Sequence, residues 1–326
     1  MPELVSILIP VYNAEEWLSA TLRSVSSQTW PRWEAIVVDD GSTDNSLSIA
    51  RSFESKRIKI LSKGNQGACA ARNCALRHAQ GDYIQYLDAD DLMDANKLEV
   101  QVKRLESEPS RTVAACQWTR FYHQVGDGPH RPVPETWKYP KPIDWFVAQR
   151  SGNGTMPLMA WLTPRELVEQ AGPWDESLLR NQDGEYFTRV LKHAQRIVFC
   201  AETCVYYRSG LPGSVSARQS PEAIRSAYHA AQRIIRTMRE LEDTPRVRYA
   251  CAYFLQNLVY QAYPHVPDVA RKAAREVEDL GGSDAVPEGS ALFDWFRRTF
   301  GWKGALWTRY HYRRLIHALT DKHSNE

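Results

Sequence analysis

The sequence, 326 residues long, lacks any uninterrupted apolar run of the length a helix needs to cross a bilayer, so no transmembrane segment is expected. It also lacks charge of one sign: 41 Lys and Arg stand against 39 Asp and Glu, and a formal net charge of +2 points to no nucleic-acid partner. The six cysteines, Cys69, Cys74, Cys116, Cys200, Cys204 and Cys251, show no C-x-x-C spacing, which favours reduced, buried thiols over disulfides or zinc. The histidines show no ligand spacing, and there is no internal repeat. Met1-Pro2-Glu3 leads at once into an apolar strand and does not read as a signal peptide, so a cytoplasmic location is expected. That strand ends in Tyr12-Asn13 rather than G-x-G-x-x-G, which removes the dinucleotide fingerprint and with it a nicotinamide-dependent dehydrogenase.

What is present is an alternation of strand and helix signals. Val5 to Val11 is a short apolar run of the kind buried on both faces. Asn13-Ala14-Glu15-Glu16 then reads as a helix start, an N-cap residue with Glu three positions on, before Leu18, Leu22 and Val25 at helical spacing. Ala35 to Val38 is a second strand ending in Asp39-Asp40-Gly41-Ser42-Thr43-Asp44, and Ile58 to Leu61 a third leading to Gly64-Asn65-Gln66-Gly67. An Ala-rich helix from Ala68 to Ala79 and a fourth strand, Tyr83 to Leu87, follow. Four strands alternating with three helices predict βαβ units with right-handed crossovers and a mostly parallel, Rossmann-like central sheet flanked by helices. Ligands bind such sheets at the carboxyl ends of the strands, where Asn13, Asp39-Asp40, Gly64 to Gly67 and Asp88 to Asp91 all fall.

Leu87-Asp88-Ala89-Asp90-Asp91 is the most telling of these clusters. In an extended backbone alternate side chains share a side, so Asp88 and Asp90 converge while Ala89 turns away. Two carboxylates so placed suit a hard divalent cation, Mn²⁺ or Mg²⁺, completed by the phosphates of a substrate. By itself the same turn also reads as a solvated loop before a helix capped by Asp94 or Asn96.

Pro10-Val11-Tyr12-Asn13, Val37 to Asp44, Asn65-Gln66-Gly67 with Ala71-Arg72-Asn73, and Asp88-Ala89-Asp90-Asp91, in that order, resemble the motif set of the inverting, nucleotide-sugar-dependent glycosyltransferases of family 2. The resemblance runs over roughly residues 4 to 218 and implies the GT-A fold. It implies a base-recognising role for Asp40, whose carboxylate suits the imide N–H of uracil, with Pro10, Val11 and Asn13 lining the nucleotide pocket. Asp39 is either a helix cap or a ribose contact. Arg72 is either a donor to the nucleotide and its phosphates or the partner of a neighbouring acidic turn. The family pattern puts Asp88 on the ribose side and Asp90 on the metal, and Asp91 reads as a turn residue. UDP is favoured as the nucleotide.

A base for the acceptor hydroxyl has to come from further along. Trp161 to Val168 and Gly172-Pro173-Trp174-Asp175-Glu176-Ser177-Leu178 resemble the acceptor-side segment of the family, in which an acidic pair opens a helix. Here the pair reads Gln182-Asp183, so Asp183 aligns with the catalytic base while Gln182 departs from the usual Glu. Glu185 would raise the pKa of Asp183 by like-charge repulsion. The resemblance makes Gly213-Ser214-Val215-Ser216 a loop that closes on the diphosphate and Arg208 a phosphate contact; a surface Arg on a Gly/Pro-rich turn is the other reading.

The implied organisation is a catalytic domain over residues 1–218, with 1–112 binding the nucleotide sugar and 113–218 the acceptor, and a helical region over 219–326. Within the latter, Ala223 to Leu241, Val247 to Ala262 and Val269 to Leu280 carry helical periodicity. Leu292 to Ile316 interleaves aromatic and basic residues, which suits a peripheral membrane contact at the inner face of the cell membrane, docking on its own domain, or a homodimer. The expected activity is hexosyl or N-acetylhexosaminyl transfer to a glycan, lipid-linked or protein acceptor in cell-surface polysaccharide or lipopolysaccharide synthesis. A scaffold that binds nucleotide sugars without catalysis is the alternative, for which the Gln182 departure is a hint.

Overall fold

The computed structural model describes residues 3–129, 135–138, 140–152, 156–211 and 219–323, with the side chains of 135, 136 and 313–323 not described. The N-terminal half follows the sequence pattern. β1 (Val5–Val11) is buried at every position, as its unbroken apolar run requires, and is followed by α1 (Leu18–Ser26), whose Leu18, Thr21, Leu22 and Val25 face inward. β2 (Trp33–Asp39), α2 (Ser46–Ser52), β3 (Ile58–Ser62), α3 (Ala68–His78), β4 (Tyr83–Tyr86), β5 (Leu92–Met93) and α4 (Lys97–Glu106) complete that half. The small side chains of α3 let it lie close on β1 and β2, which carries even Arg72 and Asn73 of that helix into the interior.

The second half adds β6 (Thr112–Phe121), α5 (Pro142–Arg150), β7 (Trp161–Pro164), α6 (Arg165–Ala171), α7 (Gln182–His193) and β8 (Arg196–Arg208). One eight-stranded sheet runs β3-β2-β1-β4-β7-β6-β8-β5. β1 to β4 are parallel to one another, as expected, and β6 is parallel to β8, but β7 is antiparallel to both β4 and β6, and β5 to β8. The sheet is therefore mixed, with β7 and β5 running against the other six strands, where the expectation was of a mostly parallel Rossmann-like sheet. β7 and β5 are only four and two residues long, too short to show a period in the sequence.

Strand alternation divides the core in two. Leu8, Ile36 and Val38 pack on one face with Trp161, Trp174, Tyr186 and Phe187; Ile7, Ile9 and Val37 pack on the other with Leu18, Leu22 and Leu98. The first cluster continues without a break into α8 (Pro221–Leu241), α9 (Pro245–Ala262) and α10 (Pro267–Asp279), through Tyr228, Ile234, Leu255 and Val269. α8 packs on α7, and α9 on α5 and α10. The last helical stretch, α11 (Ala291–His323), is broken at Gly301, whose φ of 72° ends one helix before the next begins. Among the described residues no helix is long and apolar enough to cross a membrane.

One local expectation fails. α1 starts after Trp17, not at Asn13. Asn13 instead has φ 47°, and its Oδ1 accepts the Thr43 amide at 2.9 Å while Glu15 accepts the Asn45 amide at 2.9 Å. These side chains staple the loop after β1 to the loop after β2, and that cross-loop bonding displaced the local capping box.

Candidate active site

The parallel register brings the carboxyl ends of β1, β2 and β4 side by side at Val11, Asp39 and Tyr86. The chain leaves each of them into one cleft of about 1510 Å³. Pro10, Val11 and Asn13 line it from the first strand end, Asp40 and Gln66-Gly67 from the second and third, Arg72 from α3, and Asp88, Ala89 and Asp90 from the fourth. Asp183 and Arg208 reach the same space from the second half. The expected nucleotide, metal and base residues thus meet in one place, except Asp39. Alternation turns Asp39 to the other side of the strand; it is 1% exposed, among the described residues its carboxylate accepts only the Ser62 hydroxyl at 3.3 Å, and it does not line the cleft.

Asp40 organises the loop opposite it. Its carboxylate accepts the Gly67 amide at 2.7 Å, the Gln66 amide at 3.1 Å and the Lys63 ammonium at 2.5 Å. Gly67 needs to be glycine, since its φ is 93°.

Arg72 takes the acidic-turn alternative. Its Nη2 lies 2.7 Å from Asp88 Oδ1, its Nη1 3.4 Å from Gln182 Oε1, and its guanidinium 4.6 Å from the ring centroid of Trp174. Burial opposes the charge on Arg72, but Asp88, Cys69 and Asp183 together outweigh it and raise its pKa. Asp90 is pushed up to about 6 by burial and by Asp88 beside it. Asp91 is raised well above the carboxylate range by burial and both neighbours; one of its oxygens accepts the Arg208 amide at 2.8 Å and the other is buried without a partner. It is a structural turn residue, as the sequence indicated.

Three carboxylates crowded into four positions, repelling one another and with one oxygen orphaned, fit a divalent cation nearby. Among the described residues no group of three or more His, Cys, Asp or Glu is arranged to hold an ion unaided. The donor set fits Mn²⁺ or Mg²⁺ bound by one or two carboxylates and completed by phosphate oxygens.

Arg208 lines the cleft and is 5% exposed, so it is not the surface Arg of the second reading. Its guanidinium is sandwiched between Trp17 and Phe121, at 4.1 and 4.2 Å, and donates to the carbonyls of Asp90 and Tyr122, both at 3.0 Å. It braces the acidic turn through that carbonyl. The Gly213 to Ser216 loop lies outside the described residues.

Asp183 sits in the first turn of α7 with its side chain exposed to the cleft. Desolvation by the cleft walls raises its pKa and Asp88 adds to the rise, with Arg72 pulling the other way. The Glu185 contribution expected from spacing is absent: Glu185 turns inward and pairs with Arg189 at 2.8 Å. Arg189 also donates to the carbonyls of Ala171 and Pro173, so this pair fastens the Gly172-Pro173 turn to α7. Trp174 stacks on Tyr186 at 3.9 Å, and Asn73 donates to the Trp174 carbonyl at 2.9 Å while accepting its amide at 2.8 Å. α3, the turn and α7 are thereby locked together, which holds Asp183 opposite Asp88 and Asp90. Sequence reasoning missed the wall contributed by Arg150 of α5, Arg180, and Tyr253, Phe254, Asn257, Leu258 and Gln261 of α9. The only signal was Phe254, Asn257, Leu258 and Gln261 at helical spacing, which any packed helix shows.

Comparison with known proteins agrees with this geometry. The chain is 47% identical over 103 residues to the Escherichia coli UDP-Glc:alpha-D-GlcNAc-diphosphoundecaprenol beta-1,3-glucosyltransferase WfgD, covering 31% of this chain and 41% of that protein. It spans less than half the length of the curated relatives it first matches. In three dimensions it resembles S. aureus TarS in complex with UDP, at a TM-score of 0.62 and 17% identity over 95% of this chain and 91% of that one. It also resembles the mannosyltransferase PcManGT from Pyrobaculum calidifontis in complex with GDP-Man and Mn²⁺, at 0.56 and 18% over 94% and 85%. These likenesses establish a GT-A-like α/β fold with a C-terminal helical extension. The family model for Glycosyl transferase family 2 matches residues 6–170, just over half of the chain and the stretch that holds every donor-side motif above, and the protein belongs to that family.

Proposed function

We propose that the protein transfers a hexosyl or N-acetylhexosaminyl group from a nucleotide-diphosphate sugar, a UDP-sugar by preference, to an acceptor hydroxyl with inversion, in the synthesis of a cell-surface glycan. The observation that carries this reading is that Asp183 and the Asp88–Asp90 turn face one cleft from opposite halves of the molecule. Pro10, Val11, Asn13 and Asp40 receive the nucleotide, with Asp88 toward the ribose. Asp90, with Asp88, would hold the cation, which when bound neutralises charge developing on the diphosphate. Arg72 orients Asp88 through their ion pair. Asp183 takes the acceptor proton as its oxygen attacks the anomeric carbon. The names of WfgD and of the TarS complex support UDP, and that of the PcManGT complex supports Mn²⁺.

The halves 1–112 and 113–218 divide donor from acceptor recognition in this reading, and the helices of 219–326 add to the acceptor wall. The acceptor is a glycan, lipid-linked for preference as the WfgD name supports. Exposed Leu292, Trp295, Phe300, Trp307 and Tyr312 of α11, interspersed with exposed Arg298 and Lys303, support a peripheral contact with the inner face of the cell membrane.

The test is calorimetric titration of UDP, GDP and dTDP with and without Mn²⁺. Metal-dependent binding of one nucleotide, weakened at least tenfold in Asp90→Ala, is the expected result. No metal-dependent binding of any of them would contradict it.

A further inference from the structure

Of the arginines on the cleft, Arg72 has Asp88 as its carboxylate partner, and Arg208 is held by the Asp90 and Tyr122 carbonyls between two rings. Arg150 and Arg180 on the acceptor wall have no ion pair among the described residues. Arg150 ends α5 with its guanidinium 4.3 Å from the ring centroid of Phe254 on α9, and its Nη2 would stand 3.5 Å from a Cβ placed on Gly184, the residue after Asp183. Its Nε is buried without an acceptor, and among the described residues the side chain makes no hydrogen bond and no ion pair. Among the described residues Arg180 has only a neutral partner, Gln261 Oε1 at 2.8 Å. Burial pushes Arg150 down to about 10 and lowers Arg180, yet both are cations near neutral pH.

Guanidinium groups partly desolvated without an ion pair are costly, Arg150 feeling Asp183 only through space, and the planar fork of each matches a phosphate or carboxylate bidentately. The wall they occupy also presents Tyr253 and Phe254. The carboxylates lining this part of the cleft are Asp183 and Glu176, and Glu176 already accepts from Asn73 at 2.9 Å. We propose that this wall is an acceptor subsite for an anionic group, a phosphate or diphosphate ester, which Arg150 and Arg180 bind beside the sugar whose hydroxyl meets Asp183. This rests on the reading of Asp183 as the base. The helical region after residue 218 then takes part in choosing the acceptor, because α9 supplies Phe254 under Arg150 and Gln261 beside Arg180.

Glycerol 3-phosphate and geranyl diphosphate are the probes, titrated into protein saturated with UDP and Mg²⁺. Both arms support the proposal if a probe binds with UDP in place and is weakened at least tenfold in Arg150→Gln and in Arg180→Gln, with Arg150→Lys retaining most of the affinity. Preference for geranyl diphosphate identifies a lipid diphosphate as the source of the anion, and preference for glycerol 3-phosphate a polyol phosphate. Equal affinity in wild type and both Gln variants, or binding only by displacement of UDP, overturns it. If UDP itself fails to bind, the donor reading falls separately, and probe affinity for the free protein across the same variants still decides this proposal. Should Arg150→Gln not fold, Arg180→Gln and Arg150→Lys carry the comparison.

Discussion

Desolvation in the cleft, with Asp88 across it and not Glu185 beside it, sets the properties of Asp183. Together these raise its carboxyl above the ordinary carboxylate value, and a base works only when ionised. Activity is therefore full above that raised pKa and falls as pH drops through it, about tenfold per unit. The pH profile of kcat/KM should show an acid limb above ordinary carboxylate values, and Glu185→Gln should leave the limb where it is, since Glu185 faces Arg189. A limb that moves down in Glu185→Gln would restore the like-charge explanation. The convergence of Asp88 and Asp90 was legible from strand alternation, while Asp183 was singled out through its resemblance to the family's acceptor-side segment. The cause of the Asp183 shift was not legible, because Glu185, two positions on, turns to the opposite side of α7. Arg150 was not legible either, since its lack of a partner depends on groups a hundred residues away in the chain.

At the scale of elements, α7 is positioned by an aromatic stack. Trp174 is 1% exposed, lies flat on Tyr186 and meets Tyr86 edge-on at 5.1 Å, while Tyr86 and Tyr186 share a hydrogen bond at 2.8 Å. Emptying that place should cost about 3–5 kcal/mol, the range for a buried aromatic truncated to alanine. Trp174→Ala should lower the denaturation midpoint accordingly and reduce turnover more than Trp174→Phe does, because Arg72 and Asp183 both rest on that packing. Wild-type stability and turnover in Trp174→Ala would show that the stack positions nothing. The long helices α8, α9 and α10 begin within two residues of where periodicity put them, and α3 likewise, because each carries many turns of consistent pattern. α1 began late because Asn13 and Glu15 found partners thirty residues away in the next loop, an outcome that local capping rules do not see.

For the whole molecule, the sequence divided a catalytic part from a helical appendage, whereas the core runs through both. Tyr228, Ile234 and Leu255 pack in one cluster with Trp145, Tyr186 and Phe187, and α9 walls the cleft that the sheet opens. The mixed sheet has the same origin: its N-terminal half obeys the βαβ rules, and the antiparallel pairs come from short strands placed by long-range packing. In the proposed mechanism both halves matter, because donor groups come from one and the base from the other. The measurement that tests this most directly is a paired one on Asp183→Asn: glycosyl transfer from the UDP-sugar that supports it, and UDP affinity by calorimetry. A loss of turnover of about 10²–10⁴-fold, the usual worth of a general base, with UDP affinity unchanged, is the expected result. Turnover near the wild-type rate with UDP still bound would contradict the assignment of Asp183 and with it the mechanism.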